Sequence, residues 1–402
     1  MLKARSTWLT HKTVNLNDMR VTLSEPVVVG RSRGYYWFPN LWRRPSGDLL
    51  ATISPVADIH MSSIPYLATW SRDGGLTWSE PVVTNDGPQA LLELTNGDAI
   101  LLPYVLRPRA GGLGAPYNRI AAGTRTIEYV ASGLVVTGIP GPDKAFKPGL
   151  DTGGFVFNGQ TLQLRDGSYL ATIYGELVDS PGSRIYTVKS TDGVHWVVDA
   201  LVADRSSNLP GKEGPGESAI TRLKDGRILC VFRVGSKFPY GISWSSDEGK
   251  TWTPPIAMPG IFSVQPSLAV LPDGTVALSG GRPGLYLWLN SDGTAENYET
   301  IDMLAHHNEC CPTESIPYSD DLPEQRTSAY TEVVAVGENQ FLYMYDRIAN
   351  GWKPIPEEMN ETNSVWLVRV TVEKINEGKS KEGKIKEGKS KEGKIKEGKS
   401  NG

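Results

Sequence analysis

A glutamate and an arginine stand near the two ends of one stretch, residues 217–236, with the sequence ESAITRLKDGRILCVFRVGS. Two apolar runs in it flank Asp225-Gly226, a pair typical of a β-hairpin turn. In a hairpin, the residue before the first strand lies beside the residue after the second. Glu217 and Arg233 are therefore predicted to meet, as a structural ion pair or as part of a polar binding site.

The hairpin pattern recurs along the chain at spacings of roughly 50 to 70 residues, the period of a β-propeller blade. The turns are Ser46-Gly47-Asp48, Asn96-Gly97-Asp98, Asp166-Gly167-Ser168, Asp225-Gly226-Arg227, Asp273-Gly274-Thr275 and Gly337-Glu338-Asn339. Many Gly, Pro, Trp and Tyr residues and few segments of helical period favour an all-β chain. We expect a six-bladed β-propeller of four-stranded antiparallel blades.

A second repeat has the pattern Ser-x-Asp-x-Gly-x-Thr-Trp, known as the Asp-box. It occurs at residues 71–78, 190–196 and 245–252, with a weaker copy at 290–294. Asp and Ser side chains in such a turn bond to its own backbone while the Trp covers the blade, so we assign these turns a structural role.

The order of these repeats predicts three segments. Residues 1–20 form an N-terminal extension, residues 21–374 the propeller, and residues 375–402 a disordered Lys/Glu/Gly/Ser tail with too little apolar surface to fold. The last strand-like run, residues 364–372, lacks a following outer strand. The strand at residues 21–30 is expected to complete that last blade and to remove its open edge.

Composition excludes several functions. A net charge of −4 without a basic stripe in the body of the chain argues against a nucleic-acid partner. No apolar run is long enough to span a bilayer, and the N-terminus lacks the apolar core of a secretory signal. We expect a cytoplasmic monomer, or a secreted one if a signal was removed.

Polar residues collect at one end of the predicted hairpins, around the mouth of the central channel. They are Trp37, Gln89, Asp151, Glu217, Gln265 and Tyr330 at the starts of first strands, and Asp58, Tyr104, Arg107, Tyr174, Glu176, Arg233, Arg282, Asp346 and Arg347 at the ends of second strands. Acids, arginines and tyrosines that converge in this way predict a polar ligand site.

The chain resembles the sialidase (neuraminidase) superfamily over nearly all of its length before the tail. The resemblance rests on the Asp-boxes, on ESAITRLKDGRILCVFR, on SGGRPG around Arg282, on TSAYTEV around Tyr330, and on YYWFPNL, where that family has Arg-Ile-Pro. It implies a glycan substrate, with Tyr330 as nucleophile, Glu217 as its partner and Asp58 as acid/base. Arg233 and Arg282 would bind a substrate carboxylate, and no cofactor is implied.

One position departs from the family pattern. Trp37 stands where the first carboxylate-binding arginine is expected, and Arg31 and Arg33 on the same segment are possible substitutes. An aromatic residue there suits stacking on a sugar ring, so we assign Trp37, with Tyr174 and Arg107, to substrate binding. The substrate is then open to sugars other than sialic acid.

Metal-capable side chains occur in His306-His307-Asn308-Glu309-Cys310-Cys311, in the long connection before Tyr330. Six consecutive residues do not readily surround one tetrahedral ion, and the sequence offers no spaced second pair, so we predict no metal and a loop that lines the site. Three cysteines do not form a disulfide framework.

Three functions remain open. The first is an exo-acting, retaining sialidase-type glycoside hydrolase that removes a terminal acidic sugar. The second is an exo-glycosidase of the same fold that removes another sugar, such as a uronic acid, a deoxysugar or an arabinose. The third is a carbohydrate-binding propeller without catalysis; turnover that is lost in Glu217→Ala would eliminate it.

Overall fold

The structure, a computed structural model, describes residues 6–58, 65–85, 87–146 and 154–375. Strands dominate these residues, and the predicted all-β class is confirmed. No helix in the described ranges is long and apolar enough to cross a membrane. Asp151 and the tail from residue 376 lie outside the described residues.

The strands are numbered in chain order. The first part contains β1 (Thr10–Asn15), β2 (Met19–Ser24), β3 (Val27–Ser32), β4 (Trp37–Arg43), β5 (Leu49–Ser54), β6 (Tyr66–Ser71), β7 (Val82–Thr84), β8 (Pro88–Glu93), β9 (Ala99–Pro103), β10 (Arg107–Arg109), β11 (Gly112–Ile120), β12 (Ile127–Thr137), β13 (Ala145–Phe146), β14 (Val156–Gln163), β15 (Tyr169–Leu177), β16 (Ser180–Ser190) and β17 (His195–Ala203).

The second part contains β18 (Ser218–Arg222), β19 (Ile228–Phe232), β20 (Pro239–Ser245), β21 (Ile256–Phe262), β22 (Ser267–Val270), β23 (Val276–Gly281), β24 (Leu285–Asn290), β25 (Glu299–Asp302), β26 (Glu332–Gly337), β27 (Gln340–Arg347), β28 (Ala349–Trp352) and β29 (Asn363–Lys374). The α-helix α1 spans Met303–Cys310, and short 3₁₀ turns lie at Pro142–Lys144, Arg205–Ser207, Pro312–Glu314 and Leu322–Glu324.

Three sheets have the predicted four antiparallel strands in sequence order: β4 to β7, β18 to β21 and β22 to β25. A fourth, larger sheet contains β8 to β17, because β12 and β17 pair in parallel at residues 135–137 and 195–197. The prediction of separate four-stranded blades is wrong in this region, since β12 extends far enough to bridge two strand sets. The count of six blades stays a prediction.

The fifth sheet joins the two ends of the described chain. Strands β26, β27 and β29 are completed by β2 and β3, which both pair antiparallel with β29, as the sequence predicted. The single strand expected at residues 21–30 is two strands, interrupted at Glu25-Pro26. Strand β1, within the segment assigned as an extension, pairs with β2 on the outside of this sheet.

The turns have the backbone that the sequence requires. Gly47, Gly97, Gly167, Gly226 and Gly274 have φ between 85° and 95°, which a residue with a Cβ adopts only with strain. The sixth turn, at Gly337, joins β26 to β27 without a positive φ on that glycine. Regular hairpins therefore bring the start of each first strand beside the end of the following strand, as the sequence predicted.

The three good copies of the Ser-Asp-Gly-Trp pattern share one hydrogen-bond scheme. In the first, Asp73 accepts bonds from the backbone of Leu76 and Thr77, and the Trp78 indole donates to the Gly75 carbonyl. The corresponding indole bonds are present at Trp196 and Trp252. These side chains bond within their own turns, in line with the structural role that we assigned to them.

The innermost strands contact one another in the order β8, β14, β18, β22, β26 and β4. They surround an axial cavity of about 430 Å³, lined by residues of β4, β8, β14, β22 and β26. Glu332 of β26 lies in this lining with its side chain buried. The strand starts thus surround one axis, and the candidate site is built from them.

The connection before Tyr330 differs from the prediction. We expected a site-lining loop at residues 306–311, but most of the segment belongs to α1, whose first turn is capped by the Asp302 carboxylate bonding the Ala305 amide at 2.8 Å. His306 and His307 are fully buried. A cap and two buried side chains favour a packed helix over a loop.

Candidate active site

The β18–β19 hairpin brings Glu217 and Arg233 together, as predicted from its turn. The Arg233 amide donates to the Glu217 carbonyl at 3.0 Å, so the open end of the hairpin stays paired. The Arg233 guanidinium Nη1 donates to both carboxylate oxygens of Glu217 at 2.9 Å. The backbone amide of Gln265, before β22, donates to Glu217 Oε2 at 2.9 Å, which fixes the carboxylate between two sheets.

Tyr330 enters the same group from the segment before β26. Its phenol donates to Glu217 Oε1 at 2.5 Å, and Arg233 Nη1 lies 3.4 Å from the phenolic oxygen. The tyrosine is partly buried, while Glu217 is 9% exposed. A phenol in contact with a carboxylate has a proton acceptor in place, which a nucleophilic hydroxyl requires.

Burial raises the pKa of the Tyr330 phenol well above its ordinary value. The charge of Glu217 raises the pKa further, while Arg233 and Arg282 oppose the shift. The phenol is therefore neutral at rest, and it must lose its proton to Glu217 during a reaction rather than before it. A neutral attacking group avoids repulsion from a negatively charged substrate.

Asp346, at the end of β27, holds the segment that carries Tyr330. Its carboxylate accepts hydrogen bonds from the Ser328 amide and hydroxyl, from the Thr327 hydroxyl and from the Phe38 amide. The Ser328 hydroxyl also accepts a bond from the Tyr330 amide at 3.2 Å. Because Asp346 is fully buried, this network fixes the Tyr330 backbone against β4.

The Arg282 guanidinium lies over the ring of Tyr330. Its guanidinium carbon lies 5.3 Å from the Tyr330 ring centre and 5.0 Å from that of Trp352. Nη2 donates to the Ser328 carbonyl at 2.7 Å, and Nε is buried without a hydrogen-bond partner among the described residues. Burial lowers the pKa of Arg282, yet an arginine stays charged. A buried cation with an unsatisfied donor suits an anionic or oxygen-rich ligand.

Trp37 lies inside an aromatic cluster formed by Tyr35, Trp37, Phe38 and Trp352. Its ring is 1% exposed, stacks on Tyr35 at 5.0 Å, and donates its indole N–H to the Val56 carbonyl at 2.8 Å. The contact with Tyr330 is made by Phe38, at 4.8 Å between ring centres. Trp37 therefore packs against Phe38, which contacts Tyr330, and its burial argues against stacking of its ring on a sugar.

The two arginines considered as substitutes have other partners. Arg31 pairs with both carboxylate oxygens of Glu314 and lies over Trp366. Arg33 donates to the backbone carbonyls of Pro356 and Met359 at 3.0 and 2.9 Å. Among the described contacts, neither arginine joins the group around Tyr330. Arg31 and Arg33 therefore do not replace the first carboxylate-binding arginine, whose position Trp37 occupies.

A cavity of about 380 Å³ opens beside Glu217 and Arg233, within the range of ligand pockets, roughly 300–1,000 Å³. It is lined by Tyr174, Glu176, Ser183, Arg205, Lys212, Glu213, Gly214, Gly216, Glu217 and Arg233. Tyr174 is 4% exposed and its hydroxyl lies 3.4 Å from that of Tyr104. Glu213 is half exposed and lies 2.7 Å from Arg233 Nη2, so Arg233 already has two carboxylate partners.

Two predicted residues remain, Asp58 and Arg107. Asp58 is exposed. Its negative charge adds a small effect to the burial that raises the pKa of Tyr104. The same charge opposes, without cancelling, the burial that lowers the pKa of Arg282. His60, its neighbour in the sequence, lies outside the described residues. Arg107 is partly exposed at the start of β10. The roles of Asp58 and Arg107 stay predictions.

Comparison with known proteins places this geometry in context. Over 330 residues the chain is 26% identical to a sialidase of Micromonospora viridifaciens; the match covers 78% of this chain and 45% of the sialidase, so the chain spans less than half of that relative. A solved Hadza microbial sialidase superposes with a TM-score of 0.55 at 13% identity, over 85% of this chain and 66% of the other. The chain has the sialidase-like β-propeller fold.

Other solved structures share this sialidase-like fold. A protein of unknown function from Dyadobacter fermentans superposes with a TM-score of 0.63 at 18% identity, over 88% of this chain and 99% of the other. An α-L-arabinofuranosidase of Fusarium graminearum superposes with a TM-score of 0.56 at 16% identity, over 86% and 97%. No protein-family model matches the chain.

Several residues of the site were missed from the sequence. Glu213 precedes β18 in an irregular segment, and Trp352 follows β27 in a part of the chain without a repeated pattern. The contact of Phe38 with Tyr330 was not predicted, because the comparison with the family motif considered only the neighbouring Trp37. Asp346 was placed at the channel mouth, but no sequence pattern indicates that it organises the Tyr330 segment.

Proposed function

We propose that the protein is an exo-acting, retaining glycoside hydrolase built on a six-bladed propeller. The observation that carries this proposal is the contact of Tyr330 with Glu217, held by Arg233 beside an open cavity. A phenol bonded to a carboxylate is an arrangement in which the acceptor of the phenolic proton is already in place. It is a suitable one for a nucleophile with its base.

The proposed reaction has two steps. In the first, Tyr330 Oη attacks the anomeric carbon and Glu217 accepts the phenolic proton, while Asp58 gives a proton to the departing glycosidic oxygen. The sugar is then bonded to Tyr330. In the second step, Asp58 takes a proton from water, the water oxygen attacks the anomeric carbon, and Tyr330 leaves with the proton from Glu217. Two displacements at one carbon give retention of configuration.

The first candidate substrate is a terminal acidic sugar of the sialic acid type. Arg282 is buried, has one backbone partner among the described contacts and has an unsatisfied Nε. Its charge favours a substrate carboxylate beside Tyr330. Arg233 would be the second contact of that carboxylate once Glu213 moves away, and Glu213 is exposed enough to do so.

The second candidate is an uncharged terminal sugar such as an arabinose. Two observations favour it: Arg233 already pairs with Glu213 and Glu217, and Trp37 occupies the position of the first carboxylate-binding arginine. The likeness to an α-L-arabinofuranosidase is compatible with this substrate, although a likeness at 16% identity concerns the fold alone.

Hydrolysis of fluorogenic aryl glycosides, with an α-sialoside and an α-L-arabinofuranoside in the panel, tests the proposal. We expect release by wild type, almost none by Tyr330→Phe, and a first product of unchanged anomeric configuration by NMR. Glycan binding without release from any substrate would instead support the non-catalytic alternative.

The variant Glu213→Gln distinguishes the two substrates. Removal of the Glu213 charge frees Arg233 for a substrate carboxylate, so KM for an acidic sugar should fall about 5- to 10-fold, as expected for one charged contact of about 1 kcal/mol or more. For an uncharged sugar KM should change by less than about twofold. Glu324→Gln, a change in an exposed ion pair with Lys353, is the matched control.

A further inference from the structure

Three metal-capable side chains meet on the outside of the fifth sheet. His11 comes from β1, and His306 and Cys310 come from α1. One donor atom of each, a ring nitrogen or the thiol sulfur, lies within 4.8 Å of the other two. His306 and Cys310 are four positions apart on a helix and so share one face. The spaced partner that the sequence did not reveal is His11.

The hydrogen bonds around the cluster leave lone pairs for a ligand. His306 Nε2 lies 2.9 Å from the Ser24 carbonyl, which only accepts, so this nitrogen carries the proton and Nδ1 has a free lone pair. A histidine that is fixed by a backbone carbonyl in this way has the usual arrangement of a metal ligand. The Cys310 sulfur lies 4.0 Å from that Nδ1 and 3.9 Å from Nε2, so it is close to the ring edge of His306.

His11 supplies an independent indication. Its Nε2 is shielded from solvent and has no hydrogen-bond partner among the described residues. Glu309 Oε1 lies 3.1 Å away, without hydrogen-bond geometry, and places a negative charge beside the cluster. Lys12 Nζ, 2.5 Å from Glu309 Oε2, offsets part of that charge from the solvent side. Glu309 is therefore an ion-pair partner of His11 in poor hydrogen-bond geometry, and a metal ion bound at Nε2 would satisfy this shielded nitrogen.

We propose that His11, His306 and Cys310 bind one zinc ion that fastens β1 to α1. Two imidazole nitrogens and one thiolate are a donor set that zinc prefers, and water completes the tetrahedron beside Glu309. Zinc–ligand bond lengths of about 2.0–2.3 Å put ligand atoms roughly 3.3–3.6 Å apart, so the cluster closes by about 1 Å on binding. The Cys310 thiol releases its proton to solvent.

The three ligands belong to β1 and α1, elements that carry no residue of the Tyr330 group, and the site has a structural role. Among the described strands, β1 pairs with β2 alone and forms the outer edge of its sheet. A metal that bonds His11 to the helix holds this edge strand in place. Zinc binding therefore raises the stability of the folded chain without a change in glycoside hydrolysis.

Titration of the full chain, produced without a histidine tag and stripped of metal, tests this site. Cobalt(II) serves as the spectroscopic probe, and zinc competes with a chromophoric chelator. Wild type should bind one equivalent, give the thiolate-to-cobalt band of a tetrahedral site, and show a higher Tm with zinc. Cys310→Ser and His11→Ala should each lose about 100-fold or more in affinity, and their Tm should not respond to zinc.

The matched control is Cys311→Ser, which removes the neighbouring thiol and should bind as wild type does. His11 is only partly buried on an outer strand, so His11→Ala should fold, as circular dichroism can check. The proposal is overturned if wild type lacks the thiolate band, if Cys310→Ser or His11→Ala binds as tightly as wild type, or if Cys311→Ser loses as much affinity as Cys310→Ser.

Discussion

The phenol of Tyr330 donates a hydrogen bond of 2.5 Å to a carboxylate oxygen of Glu217, a residue 113 positions earlier in the chain. The two residues precede strands of different sheets, β18 and β26. The Gln265 amide donates to the Glu217 carboxylate, and the Tyr330 amide donates to the Ser328 hydroxyl. Their contact is therefore imposed by the fold rather than by local sequence.

The variant Tyr330→Phe should lower kcat by about 10²–10⁴-fold or more, because it removes the attacking oxygen and keeps the ring between Phe38 and Arg282. The measurement is kcat on the best aryl glycoside, with Tm as a check on folding. Tyr186→Phe, which removes a hydroxyl on β16 outside the site, is the control. Equal kcat in Tyr330→Phe and wild type would rule out this nucleophile.

The variant Asp58→Asn tests the proposed acid. We expect kcat/KM to fall about 10²–10⁴-fold on alkyl glycosides, whose leaving groups need a proton, and far less on nitrophenyl glycosides, whose leaving groups do not. The ratio of the two rates is the measurement. Asp143→Asn, an exposed change in a 3₁₀ turn, is the control. A uniform decrease on both substrate classes would assign Asp58 to binding instead.

We expect Asp346 to position Tyr330 through its hydrogen bonds to the preceding segment, and Asp346→Asn tests this. An amide group turns a donor toward at least one of the donors on Thr327, Ser328 and Phe38, at a cost of about 1–3 kcal/mol in the free energy of unfolding. Displacement of Tyr330 should lower kcat more than it raises KM. Urea unfolding and steady-state kinetics measure the two effects. Loss of stability with unchanged kcat would limit Asp346 to a structural role.

Burial of Glu332 in the axial cavity should make the free energy of unfolding depend on pH. Burial raises the pKa of its carboxyl from 4.5 to about 8, although hydrogen bonds from Ser267 and Gln265 act in the opposite direction. Between pH 4.5 and pH 8 the folded chain therefore keeps a proton on Glu332 that the unfolded chain has released. The free energy of unfolding should accordingly be highest, as far as this group is concerned, below about pH 4.5 and should fall as pH rises toward 8.

The variant Glu332→Gln should flatten this dependence, since an amide does not titrate. Urea unfolding of wild type and Glu332→Gln at pH 5 and pH 8.5 measures it, with Glu338→Gln on the exposed turn after β26 as control. The difference between the two pH values should be smaller in Glu332→Gln by up to a few kcal/mol. Parallel pH profiles would show that Glu332 stays charged in the folded chain.

Local sequence predicted the parts of the fold that local turns determine. The Asp225-Gly226 turn fixes the register of its hairpin and with it the contact of Glu217 with Arg233. The contact of Tyr330 with Glu217 was implied by the family resemblance, and it depends on how distant strands pack around one axis. Short-range backbone geometry was sufficient for the hairpin alone.

Long-range packing decided the rest, and the sequence did not reveal it. The parallel pairing of β12 with β17 depends on the length of β12 and on a neighbouring sheet. The sequence predicts a loop at residues 306–311, whereas His306 and His307 of α1 are buried by packing against distant elements. His11 and Cys310 are almost 300 positions apart, and no pattern in the sequence connects them.

The pairing of β2 with β29 has a consequence for the order of folding. Met19 lies opposite Lys374, and Leu23 lies opposite Val370, so this sheet needs residues from near both ends of the described chain. Contacts of such large sequence separation form slowly, and on the ribosome β29 emerges long after β2. Strands β2 and β3 therefore lack their partner β29 during much of synthesis, and in that time they can pair with other chains.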